Sequence, residues 1–259
     1  MDDFYHVIVT HFNVRKFNTP LDGNYVREWG EPLSDEWLSH RIRLFEQYCY
    51  PSISKQVCQN FDWFVYFDGL STDRELFKKY ERITPIYIEE PRGFNVQKDL
   101  VAKLRESGKL KKWLMTTHLD NDDSLSVNYV TDMQRRFKNN LFQHNISEPM
   151  FSVNYNHGLF FEVASSSLRR KMYQRNPYMT TIELSTENRK IETCWIDAHQ
   201  DIHKKMNIRS VRNTPPMWMQ IIHENNFRNY ARGRKIPFNY EMLKKEFGLN
   251  LTMSKPVKR

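Results

Sequence analysis

Three carboxylates stand within four consecutive residues near the middle of the chain, Asp120, Asp122 and Asp123. Their mutual repulsion is costly unless a cation lies nearby. In an extended backbone Asp120 and Asp122 point to one side, and hard divalent cations prefer carboxylate oxygens as ligands. We therefore expect a Mn or Mg site here. Such a site leaves positions for diphosphate oxygens and stabilises the charge of a departing nucleoside diphosphate.

The same run has a second interpretation, as the start of a helix. Asp122 or Asp123 could cap the helix that the pattern predicts over residues 126–139. An EF-hand calcium loop is unsuitable, because Gly is missing from its sixth position and Glu from its twelfth. The residue types alone leave metal binding and helix capping both open.

The elements around the three aspartates alternate between strand and helix. Apolar runs predict strands over residues 5–10, 61–68, 86–88 and 112–119, and helical patterns cover residues 34–50, 51–59, 72–82, 96–107 and 126–139. This alternation predicts a mostly parallel sheet flanked by helices, in which ligands bind outside the carboxyl ends of the strands. Thr10, Asp68 and Asp120 all fall at predicted strand ends, so we expect a site there.

The texture of the sequence changes after residue 150. We expect strands over 150–154 and 158–163 joined as a hairpin, a helix over 165–175, irregular structure from 176, a strand near 192–196 and a helix over 238–247. Repeats, low-complexity tracts and clear linkers are not evident. One domain over residues 1–259 is the simplest expectation.

Composition restricts the setting and the partners. The formal net charge is +8, which favours anionic partners as well as plain solubility. Three cysteines without a CxxC pair fit a reduced, cytoplasmic setting better than a disulfide framework. The acidic N-terminus does not have the pattern of a signal peptide, and apolar stretches stay well below the ~20 residues of a membrane span. Peripheral membrane association remains compatible with this charge.

Four segments, in order, resemble one known family. Residues 115–125, with Leu-Asp-Asn-Asp-Asp, resemble the T-R-L-D-N-D-D-A-L segment of the rhamnosyltransferase family, a group with the GT-A fold. Residues 10–13 resemble its T-R-F-N start, residues 43–63 its L-F and P-S-I block, and residues 218–226 its W-L-Q-x-x-H-x-x-N segment. The set touches most of the span from 5 to 229. His11 and His118 stand where the family pattern has Arg, which leaves the identity of the sugar open.

The resemblance implies a GT-A-like α/β domain with a mostly parallel central sheet and a mixed second half. About 1–140 would bind the nucleotide sugar and about 141–259 the acceptor. The implied activity is metal-dependent, inverting transfer of a sugar from a nucleoside-diphosphate sugar to a hydroxyl group, on a cell-surface glycan or polysaccharide. Asp122 would be the main metal ligand and His223 a further one, with a packed histidine as the alternative.

The other donor-side roles also come from the resemblance. Asp120 would contact the ribose or sugar, and Asp123 the metal or the sugar hydroxyls. The nucleobase and ribose would be held by residues at the first two strand ends, Thr10, Asn13, Arg15 and Asp68, and a later loop with Asn226 and Arg228 could close over the phosphates. For Asp68 a turn before Gly69 is an equal alternative.

An inverting transfer needs a general base to take the acceptor's proton. Asp197 and Asp201 are the first candidates, with Glu183 and Glu192 behind them, and a surface carboxylate is the alternative for each. A retaining mechanism stays open. The pair His199 and His203 lacks the Glu of a zinc-protease motif, so a solvated helix face is the better interpretation.

Basic residues concentrate in the second half of the chain. They are Arg169, Arg170, Lys171, Arg209, Arg212, Arg228, Arg232, Arg234 and Lys235. Together with nearby aromatic residues they suit a phosphorylated glycan or a DNA backbone. A second hypothesis is therefore a DNA glycosyltransferase of the phage type that acts on a hydroxylated base, flipped out or single-stranded. A third is a non-catalytic carbohydrate- or nucleic-acid-binding module, which the retained three aspartates disfavour.

Overall fold

Two β-sheets and the helices around them make up the described part of the chain. The computed structural model describes residues 3–14, 34–70, 72–90, 94–185, 189–198, 201–224 and 230–251. The strands are β1 (Phe4–His11), β2 (Asp62–Asp68), β3 (Thr84–Ile88), β4 (Trp113–His118), β5 (Ser124–Leu125), β6 (Met150–Tyr155), β7 (His157–Glu162), β8 (Ser167–Met172), β9 (Thr180–Leu184), β10 (Asn207–Val211), β11 (Trp218–Ile222) and β12 (Arg234–Ile236). The helices are α1 (Asp35–Leu44), α2 (Tyr50–Ser54), α3 (Val96–Glu106), α4 (Tyr129–Lys138) and α5 (Tyr240–Phe247).

The larger sheet has seven strands in the order β10-β6-β9-β4-β1-β2-β3. All pairs are parallel except the two that β9 makes, with β4 and with β6. Six strands therefore point one way and β9 points the other. Because β2, β1 and β4 are neighbours, their carboxyl ends meet at one edge of the sheet, as the alternating pattern predicts. We call this edge the carboxyl edge.

Alternating side chains explain why both faces of this sheet are covered. In β1, Val7 and Val9 pack with Leu100 of α3 in one apolar cluster. Ile8 between them packs in the opposite cluster, which contains Met133 of α4. A strand that buries both faces is mostly apolar on each, and this accounts for the consecutive apolar residues 7–9 in β1.

The second sheet has five strands in the order β12-β8-β7-β11-β5. Its strands β7 and β11 form a third apolar cluster with α5, through residues such as Leu159, Ile221 and Leu243. β5 follows β4 after a short loop and pairs with β11. The loop after β4 therefore joins the two sheets.

Several predicted elements are confirmed. β1, β2, β3 and β4 lie where the apolar runs predict strands, and α3, α4 and α5 lie within the predicted helices. Ser34 caps α1, since its hydroxyl accepts a hydrogen bond from the amide of Trp37. The helix does not stop before Pro51, however. It continues through a π-helical turn, Phe45–Cys49, into α2. Pro51 has no N–H to donate, and the wider turn before it accommodates the loss.

Other predictions are wrong. Residues 150–162 do not form a hairpin, because β6 lies in the large sheet and β7 in the second. Residues 165–175 form β8 rather than a helix, since pairing with β7 and β12 outweighs the local helical preference. The predicted helix over 72–82 shrinks to a 3₁₀ turn, Arg74–Phe77. The region from 176 includes β9, which the sequence did not indicate, and 192–196 is a turn rather than a strand.

Among the described residues, helices that are long and apolar enough to cross a bilayer are absent.

Candidate functional site

The loop of residues 119–123, which we call the acidic loop, leaves β4 at the carboxyl edge. Two hydrogen bonds tie it to β1 and to the residue that follows β1: the amide of Leu119 donates to the carbonyl of Val9 at 3.0 Å, and Asn121 Nδ2 donates to the carbonyl of Phe12 at 2.7 Å. Neither Asp122 nor Asp123 caps α4, because β5 lies between them and that helix. The helix-capping interpretation of the three aspartates is therefore wrong.

Asp122 meets two side chains that are distant in sequence. His223, directly after β11, has its Nε2 at 2.8 Å from Asp122 Oδ2. Arg41, on α1, has its Nη1 at 2.9 Å from the same oxygen and at 3.4 Å from His223 Nε2. Burial alone would raise the pKa of Asp122, but the charge of Arg41 and the hydrogen bond from His223 outweigh it and lower the pKa to about 2. Asp122 is thus an ionised carboxylate that is almost wholly buried. We call the surroundings of Asp122, Arg41 and His223 the pocket.

Asp123 points away from Asp122 into the core. Its Oδ1 accepts a hydrogen bond from the amide of Ile221 at 2.6 Å, and its Oδ2 accepts one from the hydroxyl of Tyr178 at 2.5 Å. Burial, and then the charges of Asp122 and Asp120, raise the pKa of Asp123 well above its ordinary value. Both oxygens of Asp123 are thus used within the protein, where they fix the acidic loop against β11.

Asp120 is the most open of the three aspartates, with its side chain 43% exposed. Its Oδ1 lies 3.2 Å from Nε2 of His118. His118 meets the indole of Trp195 edge-on at 4.4 Å between ring centroids, and His11 stacks on the same indole at 4.1 Å. The two histidines that replace the expected arginines therefore share one aromatic partner next to Asp120.

The predicted donor residues at the first two strand ends are occupied within the fold. Thr10 is fully buried and accepts a hydrogen bond from Trp63 Nε1 at 3.0 Å. Asn13 accepts a hydrogen bond from the amide of Asp68 at 3.1 Å. Asp68 Oδ1 accepts one from the amide of Leu70, the turn arrangement that the sequence left as its alternative. Their donor contacts stay predictions. Three further residues that were predicted to bind the donor lie outside the described residues: Arg15, Asn226 and Arg228.

The contacts that the structure shows for three of the candidate bases are with residues outside the acidic loop. Asp197 accepts a hydrogen bond from the amide of Ala198, and Asp201 pairs with Lys204 at 2.6 Å. Glu183 is buried in β9 between Leu114 and Met150, toward the amino end of β4 rather than the carboxyl edge.

One further candidate base, Glu192, and the pair His199 and His203 complete the set that the sequence singled out. Glu192 pairs with Lys190 at 2.6 Å. His199 lies outside the described residues, while His203 contacts Arg175 at 2.8 Å. Asp197 stands closest in sequence to the carboxyl edge, because Trp195 contacts both edge histidines. Its role as a base stays a prediction.

Three residues of this site have no signal in the sequence pattern. Arg41 reaches Asp122 across 81 positions, and Tyr178 reaches Asp123 across 55. Trp195 stands in the apolar run that drew attention only to Asp197. Spacing along one element predicts neighbours on that element alone, so contacts between distant segments become visible only in the fold.

The geometry suits a divalent cation in part. Groups of three or more His, Cys, Asp or Glu that could hold a metal are absent from the described residues. Asp122 and His223 are a pair, and Mg-type ions commonly use one or two protein ligands together with substrate phosphates. Two ligands at about 2.1 Å on adjacent corners of an octahedron lie about 3 Å apart. The 2.8 Å between Asp122 Oδ2 and His223 Nε2 fits that separation.

Comparisons with known proteins give a family match and similar solved structures. A family model described as "Putative rhamnosyl transferase" matches residues 30–235, a span that includes the acidic loop and His223. Among solved structures, a "putative nucleotide-diphospho-sugar transferase from Desulfovibrio desulfuricans G20" is similar, at 8% identity and a TM-score of 0.38 over 86% of this chain and 83% of that one. S. aureus TarS 1-349 matches at 12% identity and a TM-score of 0.40, over 84% of this chain and 60% of that one. Curated protein sequences give no match.

Proposed function

Since the chain belongs to the family described as "Putative rhamnosyl transferase", we propose that it is a metal-dependent glycosyltransferase of the GT-A type. It moves a sugar from a nucleoside-diphosphate sugar to a hydroxyl group of a glycan. The observation that carries the proposal is the meeting of Asp122 and His223, 101 residues apart, in a buried pocket where β4 and β11 end. An anionic carboxylate and an imidazole converge there, and the oxygens of a diphosphate would complete the coordination of a Mn or Mg ion.

The side chains of the pocket have separate tasks in this proposal. Asp122 and His223 would hold the cation, which neutralises charge on the departing diphosphate. Asp120, the most exposed carboxylate, is available to ribose or sugar hydroxyls. Asp123 keeps the acidic loop in place through Ile221 and Tyr178. Asp197 is the leading candidate for the base that accepts the acceptor's proton, in an inverting transfer.

The test compares an Asp122→Asn variant with wild type on a panel of nucleotide sugars, with Mn or Mg and with a chelator. We expect the variant and the chelator each to lower hydrolysis or transfer by about 100-fold or more, because a preorganised electrostatic contact to the leaving group is lost. Asp62→Asn is the matched control, since Asp62 begins β2 at the opposite edge of the sheet. The proposal would be contradicted if the Asp122→Asn variant, and wild type in the presence of the chelator, both kept their transfer activity.

One observation favours an acceptor that carries negative charge. β8 and β12 pair in an antiparallel register that sets Arg170 opposite Arg234 and Arg169 opposite Lys235. Like charges directly opposite each other destabilise a sheet unless an anion lies between or above them. We call these two strands the basic ribbon. It suits a phosphorylated glycan, and it keeps DNA as the second candidate acceptor.

A further inference from the structure

Arg41 lies beside both of the proposed metal ligands. Its Nη1 touches both Asp122 Oδ2, at 2.9 Å, and His223 Nε2, at 3.4 Å. These are the same two atoms that would have to bind a divalent cation. A divalent cation bound to both atoms would lie close to the positive charge of Nη1, and like charges at such a distance repel each other strongly, so binding of the cation favours the departure of Nη1.

The guanidinium of Arg41 is only partly used where it stands. One of its nitrogens binds one carboxylate oxygen, whereas an arginine–carboxylate pair at its strongest uses two parallel hydrogen bonds. Its Nε is buried and has no hydrogen-bond partner among the described residues. Leaving a buried donor unpaired is costly. The side chain thus has donors to spare for an anion that enters the same pocket.

The rest of α1 does not hold this guanidinium fast. Its remaining aromatic neighbour is Trp37, one turn earlier, with the ring centroid 5.6 Å from Cζ. The Arg41 side chain is 18% exposed, so part of it is accessible to solvent. A long side chain such as that of arginine can exchange one binding partner for another while the backbone of its helix stays in place.

We propose that Arg41 is an exchangeable counter-cation: it neutralises Asp122 when the pocket is empty of donor and transfers to the donor's diphosphate when a divalent cation binds Asp122 and His223. Arg41 is then a positioning residue with two partners. The inference rests on the proposed function, because it assumes a diphosphate in this pocket. It adds that the metal alone binds weakly, and that metal and diphosphate bind together.

The first measurement is binding of Mn²⁺ alone to the full chain, followed by the loss of the free Mn²⁺ signal in electron paramagnetic resonance. We expect Arg41→Gln to bind Mn²⁺ about tenfold or more tightly than wild type, because no guanidinium then competes for Asp122. Arg41→Lys keeps the charge and should stay near wild type. Arg43→Gln is the matched control, since it removes the same charge from an exposed position on the same helix.

The second measurement is binding of UDP, GDP and dTDP at saturating Mn²⁺. Here Arg41→Gln should lower the affinity for the nucleoside diphosphate that wild type prefers. We expect a loss of about tenfold, because the contact to phosphate is lost. Opposite changes in the two affinities are a result that simple misfolding cannot produce.

The outcomes separate this inference from the proposed function. If Asp122→Asn leaves Mn²⁺ binding unchanged in both the wild-type and the Arg41→Gln background, the proposed metal site itself is wrong. If Asp122→Asn abolishes Mn²⁺ binding but Arg41→Gln matches wild type or Arg43→Gln in both measurements, the site stands and the exchange of Arg41 is overturned.

Discussion

At the scale of single residues, adjacent aspartates of the acidic loop have opposite surroundings. Asp122 faces Arg41 and His223, which keep it ionised, while Asp123 faces a buried hydroxyl and a backbone amide. The acidic loop turns at Asn121 and Asp122, where the amide of Asp123 donates to the carbonyl of Asp120 at 3.3 Å. One aspartate therefore faces Arg41 and His223, while the next faces the core. A dense acidic run therefore need not be a dense ligand set. Its members divide between binding and anchoring.

Glu183 gives a pH-dependent prediction at the same scale. Burial raises its pKa to about 8, against the opposing charge of Arg189 at 3.7 Å. Below the ordinary value of 4.5 the carboxyl is protonated in folded and unfolded chains alike. Between 4.5 and about 8 the folded chain keeps a proton that the unfolded chain releases, so the free energy of unfolding falls as the pH rises.

We expect that the free energy of unfolding of a Glu183→Gln variant does not show this fall with rising pH. Its free energy of unfolding should equal that of wild type near pH 4 and exceed it above pH 8, by as much as about 5 kcal/mol from the size of the shift. Urea unfolding followed by circular dichroism across this pH range measures the difference. Parallel curves for the two proteins would contradict the raised pKa.

At the scale of elements, the sequence predicts the first half well and the second half poorly. Strands β1, β2 and β4 bury both faces, so each of them contains at least three consecutive apolar residues, which the sequence pattern detects. β8 instead carries Arg169, Arg170 and Lys171, which look helical because partners from β7 and β12 are invisible in a linear pattern. Local patterns predict elements that are stable by burial. They fail where pairing between distant strands decides.

Gly158 in β7 gives a prediction for an element. A Cβ at this position would lie 2.1 Å from the ring of Trp218 on the paired strand β11. We expect Gly158→Ala to destabilise the protein by about 1–3 kcal/mol, since overpacking forces the ring and the strand to shift. Gly69→Ala is the control, because the atoms nearest its Cβ end the flexible side chain of Glu89. Thermal unfolding compares the two, and an equal effect would contradict the packing argument.

At the scale of the whole molecule, the net charge of +8 is unevenly distributed. The basic ribbon carries four cations at paired positions. Lys171, also in β8, lies over the ring of Tyr173, and Arg232, just before β12, lies over the ring of Tyr230. Aromatic rings beside cations are also the platform on which single-stranded nucleic acids stack. Part of the positive charge is therefore concentrated at the basic ribbon, which the net charge alone does not reveal.

The ribbon predicts how binding to polyanions depends on salt. For duplex DNA, the slope of log K against log salt should be about 2 smaller for the double variant Arg170→Glu and Arg234→Glu than for wild type, because about two phosphate contacts are lost. The control reverses the same charge on α3, with Lys103→Glu and Arg105→Glu. Gel shifts at several salt concentrations measure the slopes. Equal slopes for both variants would mean that net charge alone acts, and wild-type binding no tighter than to an uncharged glycan would exclude DNA as acceptor.

One connection in the fold limits how the molecule can move. A single residue, Asn156, separates β6 of the large sheet from β7 of the second. Its neighbourhood is locked by buried amides: Asn154 Nδ2 donates to Asn156 Oδ1 at 2.9 Å, and Asn176 Nδ2 donates to the carbonyl of Tyr155 at 2.7 Å. A hinge needs residues that can absorb changes in backbone angles, and this crossing has none to spare. The two sheets therefore cannot open against each other at this crossing. Under the proposed function, the donor has to enter and the product to leave without such an opening.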